Sequence, residues 1–160
     1  MNITFRTIAD PLDLRRLREF LHKQALGYPD YEAWVETVCI PDIDNGWKSA
    51  IVAYSDGRLV GNAIYQQHKQ LPNTREFKNL RVLPGHRQRD LGHFLLRQVE
   101  EEEKGTFERI ICDVNADQER ILGFMLKCGY RELCRAPLYA TSEIDVILVK
   151  EFSPCSTSRS

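Results

Sequence analysis

Glu76-Phe77-Lys78-Asn79-Leu80-Arg81-Val82-Leu83-Pro84-Gly85-His86-Arg87-Gln88-Arg89-Asp90-Leu91-Gly92-His93-Phe94-Leu95-Leu96 changes character twice. It opens as a β-rich run ending at Val82, crosses a loop rich in donors, and closes with leucines at helical spacing. A loop that opens directly into a helix N-terminus is a ready anion site. The first N–H groups of the helix have no intrahelical partner, and the positive end of the dipole lies beside them. Arg87 and Arg89 add cationic charge, and Lys78 and Arg81 stand on the strand leading in. A phosphate-bearing ligand, most naturally a diphosphate, is expected there. A solvated basic loop is the plainer alternative.

The rest of the chain alternates strands and helices around this segment. Asn2 to Ile8 alternates as a strand. Asp10-Pro11 has the form of a helix N-cap followed by proline at the first helical position, with Asp13 where a capping-box carboxylate would stand. Leu14, Leu17 and Leu21 carry that helix to about Leu21, and a second helix is expected over Tyr31 to Cys39. Lys48 to Tyr54 and Arg58 to Gln67 form strands joined by the hairpin signal Ser55-Asp56-Gly57. Arg75 to Val82 is the next strand. Leu91, Leu95 and Val99 give Asp90 to Glu103 one apolar helical face. Arg109 to Val114 is a short, nearly continuous apolar run, the pattern of a strand covered on both faces. A final helix from Asp117 to Lys127 stops at Gly129. Tyr130 to Leu138 and Glu143 to Lys150 close as strands. This order predicts an α/β fold.

Composition narrows the function without choosing it. The 160 residues carry 22 Lys+Arg against 23 Asp+Glu, a formal net charge of −1, so no electrostatic case exists for nucleic acid or an anionic membrane. No apolar run approaches the roughly 18 residues of a membrane span, and Met1 to Thr7 lacks the pattern of a signal peptide. A single cytoplasmic domain over residues 1–152 is expected, with a frayed tail over 153–160. Cys39, Cys112, Cys128, Cys134 and Cys155 are odd in number and contain no C-x-x-C pair, so neither a disulfide framework nor a zinc site is suggested. Cys112 reads as a packed core thiol, and the four histidines show no ligand spacing.

The segment from Val82 onward resembles the GNAT superfamily of acyl-CoA N-acyltransferases. That family's strand ends in valine, often with a following proline, and leads through R/Q-x-x-G-x-G/A into a helix. Here Val82, Pro84, Arg87-x-x-Asp90-x-Gly92 and Leu95-Leu96 stand in those places. A second family block, a valine-ending strand and then a helix closing F-Y-x-x-x-G-F/Y, is matched by Val114 and by Phe124-Met125-Leu126-Lys127-Cys128-Gly129-Tyr130. Asp145 to Lys150 resembles the family's last strand, so the likeness spans Ile3 to Phe152. It implies a mixed central sheet of about seven strands flanked by about four helices.

The resemblance also implies acetyl-CoA as co-substrate and an amine-bearing acceptor, a small molecule or a protein, and it leaves a homodimer open. Backbone amides from Gln88 through Arg89, Asp90, Leu91 and Gly92 to His93 would hold the pyrophosphate, with Arg87 beside them. The pantetheine arm would pair with the backbone around Leu80 and Val82, between this strand and a splayed Arg109–Val114. A backbone N–H near Val82 would polarise the thioester carbonyl. Glu76 would serve as the base that deprotonates the amine, directly or through water. An exposed carboxylate paired with Arg75 or Lys78 is its plainer reading.

Three positions depart from the pattern. Asp90 replaces the first glycine of the loop; as a favoured N-cap, its carboxylate would compete for the donors a pyrophosphate needs. Met125 replaces the tyrosine that protonates the leaving thiolate in many members, and a thioether donates no proton. Tyr139 is then the substitute acid, or else a rim tyrosine. Gln118 stands where an asparagine is usual and remains a polar amide on the cofactor side. On the acceptor side, Tyr28 to Tyr31 with Trp34 could line an amine pocket or form a turn and a helix core. Glu100 to Glu103 is expected to be a solvated face. The leading expectation is an active N-acetyltransferase; the alternative is a GNAT-fold binding or regulatory module that has lost catalysis. No G-x-G-x-x-G follows an N-terminal strand, so a dinucleotide-binding reading fails.

Overall fold

The computed structural model describes residues 2–152, with the side chains of Gln88 and Arg89 left out. The expected tail and Cys155 lie outside the described residues. Two compact units carry the chain, Met1–Gln66 with Lys78–Glu102, and Gln67–Phe77 with Glu103–Ser160. Seven strands hydrogen-bond in the order Ile3–Thr7, Ser49–Ser55, Arg58–Gln67, Thr74–Val82, Arg109–Asn115, Asp145–Glu151, Arg131–Ala136.

The first unit begins with β1 (Ile3–Thr7) and α1 (Pro11–Lys23). Asp10 is extended, and its carboxylate accepts the N–H of Asp13 at 2.8 Å, the expected cap. The other half of the expected capping box is not formed. Asp13, only 2% exposed, turns inward and accepts the hydroxyl of Tyr54 at 2.6 Å, with Arg6 Nε 3.0 Å away. A buried carboxylate is held best by charged and hydroxyl donors, and these are supplied from distant strands.

The expected helix Tyr31–Cys39 runs further. α2 (Tyr31–Trp34) passes through a π-helical turn, Val35–Cys39, into α3 (Ile40–Asp44). Pro41 does not stop the helix: it stands just after the π-helical turn, as the second residue of α3, and the helical backbone continues through it. Leu17 and Leu21 of α1, Val35 and Cys39 of the π turn, and Val52 and Ile64 of the sheet are fully buried in one core. Each such aliphatic side chain contributes roughly 1.5–3 kcal/mol of transfer free energy.

β2 (Ser49–Ser55) and β3 (Arg58–Gln67) form the expected hairpin, with Asp56 and Gly57 at φ of 49° and 80°. β4 (Thr74–Val82) follows, and its Lys78–Val82 half belongs to this unit. A 3-10 turn, Pro84–Arg89, leads into α4 (Leu91–Glu101). Gly61 of β3 admits this packing, because a Cβ there would stand 3.0 Å from both Arg81 O and Leu95 Cδ1. Leu91, Leu95 and Val99 are buried as the spacing predicts. Glu100 departs from the expected solvated face: it is 1% exposed and accepts from Arg97 Nη1 at 3.3 Å.

The second unit contains the Thr74–Phe77 half of β4, then β5 (Arg109–Asn115), α5 (Glu119–Lys127), β6 (Arg131–Ala136) and β7 (Asp145–Glu151). β5 runs parallel to β4, with Thr74, Arg75 and Glu76 opposite Arg109, Ile110 and Ile111. It pairs antiparallel with β7 over all seven residues. The expectation of a strand covered on both faces is corrected. Only Ile110, Cys112 and Val114 are buried; Ile111 and Asp113, on the alternate face, are half-buried. Gly129, at φ 90°, ends α5 as expected. The mixed seven-stranded sheet with α1, the α2–α3 helix, α4 and α5 matches the expected α/β architecture. Among the described residues no helix is long and apolar enough to cross a membrane.

Candidate active site

The loop after β4 differs from its expected form at one residue. Asp90 stands at the N-cap position of α4, but at φ 54° and ψ 15°, and its side chain makes no capping hydrogen bond. At this left-handed backbone the carboxylate makes no bond to the first turn, so the expected cap is absent. Only the Asp90 carbonyl joins the helix, accepting the N–H of Phe94 at 3.0 Å. Aspartate is among the few residues with a side chain that tolerate this conformation, which glycine adopts freely. The first N–H groups of α4 are thus not covered by the Asp90 carboxylate, which is exposed.

Around this helix end the chain gathers positive charge. Arg87 Nε donates to the carbonyl of Val82 at 3.1 Å and lies exposed. Arg81 is half-buried; desolvation lowers its pKa most, the nearby Tyr31 opposes this, and Arg87 adds to it. Arg81 Nε and His86 Nδ1 are buried atoms without a hydrogen-bond partner. Leu80 and Val82 are half-buried on β4, and Leu91 is a core side chain that can offer only its backbone. Gly92 is half-buried and His93 exposed in the first turn. Gln88 and Arg89, expected to offer backbone amides, lie in the 3-10 turn before α4; the expected charge of the Arg89 side chain lies outside the described residues. This donor chemistry fits an anionic diphosphate: backbone N–H groups at a helix start, an adjacent guanidinium, and a carboxylate that takes none of those donors.

In the second unit a cavity of about 330 Å³ brings Glu76 of β4 together with Tyr139, which follows β6. Asp113 and Ile111 of β5 line it too, with Leu138, Ile147 and His68. The Tyr139 hydroxyl donates to the Asp113 carboxylate. Its pKa is raised well above the usual phenol value, first by desolvation of the hydroxyl end, then by the charge and hydrogen bond of Asp113, then by Glu76 and Asp145. The residue as a whole is 61% exposed, so its ring forms part of the rim. Asp145, 2% exposed, accepts the N–H of Leu138 at 3.2 Å and so fixes the segment that carries Tyr139.

Sequence reasoning missed Asp113 and His68. Asp113 is the one charged residue inside the apolar run Ile110 to Val114, and that interruption was the available signal. His68 accepts the N–H groups of Gln70 and Leu71 at Nδ1, 3.1 and 2.9 Å, which leaves its ring hydrogen on Nε2. Cys112 also lines the cavity, and burial pushes its thiol up to about 12, as befits a packed thiol. Met125, at the position of the family's acidic tyrosine, is a core residue at 3% exposure. Gln118 is exposed at the start of α5, where its carbonyl accepts from Ile121 and Leu122; the cavity lining does not include it. Arg75, a suggested partner for Glu76, lies 4.1 Å over the Phe107 ring and 3.3 Å from Glu103.

The family described as Acetyltransferase (GNAT) matches residues 14–130. No curated protein matches the sequence. Among solved structures, the ribosomal-protein-S18-alanine N-acetyltransferase from Escherichia coli is 17% identical with a TM-score of 0.77, over 99% of each chain. The PaiA N-acetyltransferase from Thermoplasma acidophilum, solved with coenzyme A, is 18% identical with a TM-score of 0.71, over 95% of this chain and 100% of that one. An aminoglycoside 6′-N-acetyltransferase complexed with coenzyme A is 17% identical with a TM-score of 0.74, over 96% of this chain and 98% of that one. At such identities these structures share the fold.

Proposed function

The chain belongs to the GNAT family of acetyltransferases, which makes acetyl-CoA its co-substrate, and on that premise we propose that it acetylates a primary amine by direct attack on the thioester. The reading treats residues 1–152 as one functional domain and takes the acceptor to be a small molecule or an exposed amino group of a protein. The observation that carries it is the cavity that holds Glu76, Asp113 and Tyr139 together.

Acetyl-CoA, when bound, supplies the acetyl group in activated form. The chain supplies the rest. The helix start at Asp90 to His93, with Arg87, Gln88 and Arg89, orients the pyrophosphate through backbone donors and positive charge. Leu80 and Val82 offer strand backbone to the pantetheine arm, and Gln118 a polar amide on the cofactor side. Glu76 takes the proton that an ammonium must lose before it can attack. Tyr139 keeps its proton at any assay pH because its pKa is raised. A phenol so shifted is a weak acid, so its share in protonating the thiolate is smaller than that of Glu76 in activating the amine.

The test is thermal unfolding with acetyl-CoA, CoA and ATP, followed by thiol release in an amine screen. Ligand at a hundred times its Kd adds about 2.7 kcal/mol of stability. Stabilisation by both CoA forms but not by ATP, with amine-dependent thiol release, is the expected result. Stabilisation without release from any amine would favour the binding-module alternative, for which the buried Met125 is the supporting observation. No stabilisation by either CoA form would overturn the acetyltransferase reading.

A further inference from the structure

The chemistry of the second unit's cavity bears on which amines can enter it. Ile111, Leu138 and Ile147 provide apolar wall, and Glu76 and Asp113 provide negative charge. Its volume of about 330 Å³ is at the small end for ligand sites. At the roughly 30 Å³ that a water molecule takes in the liquid, it admits on the order of ten non-hydrogen atoms. Among the described lining residues there is no lysine or arginine. The Nδ1 atom of the only histidine in the lining, His68, already accepts two backbone N–H groups. A carboxylate on the acceptor's own amine-bearing carbon would therefore meet the like charges of Glu76 and Asp113, with no lysine or arginine among the described lining residues to offset them. Asp113 can serve an ammonium while holding Tyr139, because an ionised carboxylate has lone pairs beyond the one that accepts the phenol.

We infer that the acceptor of this enzyme is an amine on an apolar alkyl stem, entering the cavity stem-against-wall with its ammonium between Glu76 and Asp113, and that α-amino acids are excluded by their carboxylate. This rests on the acetyltransferase reading and narrows its substrate class. Asp113 is the residue that sets the specificity, and Glu76 removes the proton.

Pentylamine and norleucine differ in this respect by a single carboxylate, and norleucine amide removes the charge while keeping the bulk. Binding of each is followed by NMR titration of the protein with CoA present, and turnover by thiol release from acetyl-CoA. Pentylamine and norleucine amide should bind at least about tenfold more tightly than norleucine, a difference of about 1.4 kcal/mol. Asp113→Asn should narrow that gap by weakening pentylamine and relieving norleucine, with the thermal midpoint showing that the variant is folded. Norleucine binding as tightly as pentylamine, or no binding of any of the three at their solubility limits, overturns the inference. The expected order of binding without thiol release from any amine supports the inference and overturns acetyl transfer alone. The ligand comparison needs no variant, so it stands even where Asp113→Asn fails to fold.

Discussion

Two aspartates in the first unit stand immediately before helices and are used in opposite ways. Asp10 is extended, at φ −128° and ψ 154°, and its carboxylate closes the start of α1 by accepting the N–H of Asp13. Asp90 is left-handed, and its carboxylate makes no such bond to α4. Residue type is the same, so the neighbours must decide. Proline at position 11 bars the helical region to the residue before it and pushes Asp10 into the extended conformation a cap requires. Leu91 imposes nothing of the kind on Asp90. One helix start is therefore sealed by its own chain, and the other keeps its donors for something else. An N-cap residue type in a sequence is thus evidence of a helix start, but not of a closed one.

Changing carboxylates at different places should separate these uses by what each change moves. The largest effect is expected at Glu76, where a carboxylate does chemistry. Glu76→Gln should lower kcat by about 10²–10⁴ while leaving CoA affinity and the thermal midpoint near those of the parent; a loss smaller than threefold would remove Glu76 as the base. Asp90 comes next. At about 6 Å, like unit charges repel by roughly 0.7 kcal/mol in water and about 3 kcal/mol at an effective dielectric of 20. Asp90→Gly should therefore tighten CoA by about three- to a hundredfold, read by calorimetric titration, without lowering kcat. Asp90→Asn tolerates the same backbone without the charge. Equal tightening in both variants assigns the effect to charge; tightening in Gly alone assigns it to the left-handed φ. No tightening in either would mean that the Asp90 charge does not act on the phosphates of CoA.

The architecture was legible because it rests on local signals. Leucines at helical spacing placed α1 and α4, Asp56-Gly57 placed the hairpin, and Gly129 stopped α5. What could not be seen were outcomes set by distant partners. Asp13 had the position of a capping-box residue, but Tyr54, 41 residues away, claims its carboxylate. Glu100 belongs by composition to a charged surface run and is buried nonetheless. The helix expected over Tyr31 to Cys39 is carried onward by a π turn into α3. In the candidate site, Glu76 and Tyr139 were reached through family resemblance. Asp113 went unnoticed because the six residues Arg109 to Val114 read as a strand covered on both faces, whereas its burial alternates. Periodicity reports which face is apolar; it does not report what a half-buried charge on the other face is for.

Stability measurements complete the contrast and need a controlled pH. Cys39 in the first unit and Cys112 in the second are buried thiols, both raised by burial to about 12. Unfolding frees each to ionise from its ordinary value of 9, so above pH 9 the unfolded state binds fewer protons than the folded state. The stability they contribute is intact below pH 9 and declines toward pH 12, by up to about 1.4 kcal/mol per pH unit for each thiol. A urea midpoint that holds steady from pH 8 to 10.5 would contradict that burial. Against this background Asp10→Ala should cost about 1 kcal/mol, within the range of about 0.5–2 kcal/mol for lost N-caps, read from the urea midpoint at pH 7. CoA affinity should not change, because the bond lost is at the other helix. Asp90→Ala, lacking a cap to lose, should show no such deficit beyond the strain of alanine at positive φ, about 1–2 kcal/mol, and Asp90→Gly should show none at all. A cap-sized loss in Asp90→Gly would mean that the Asp90 carboxylate does cap α4 in solution, and the two aspartates would then be alike.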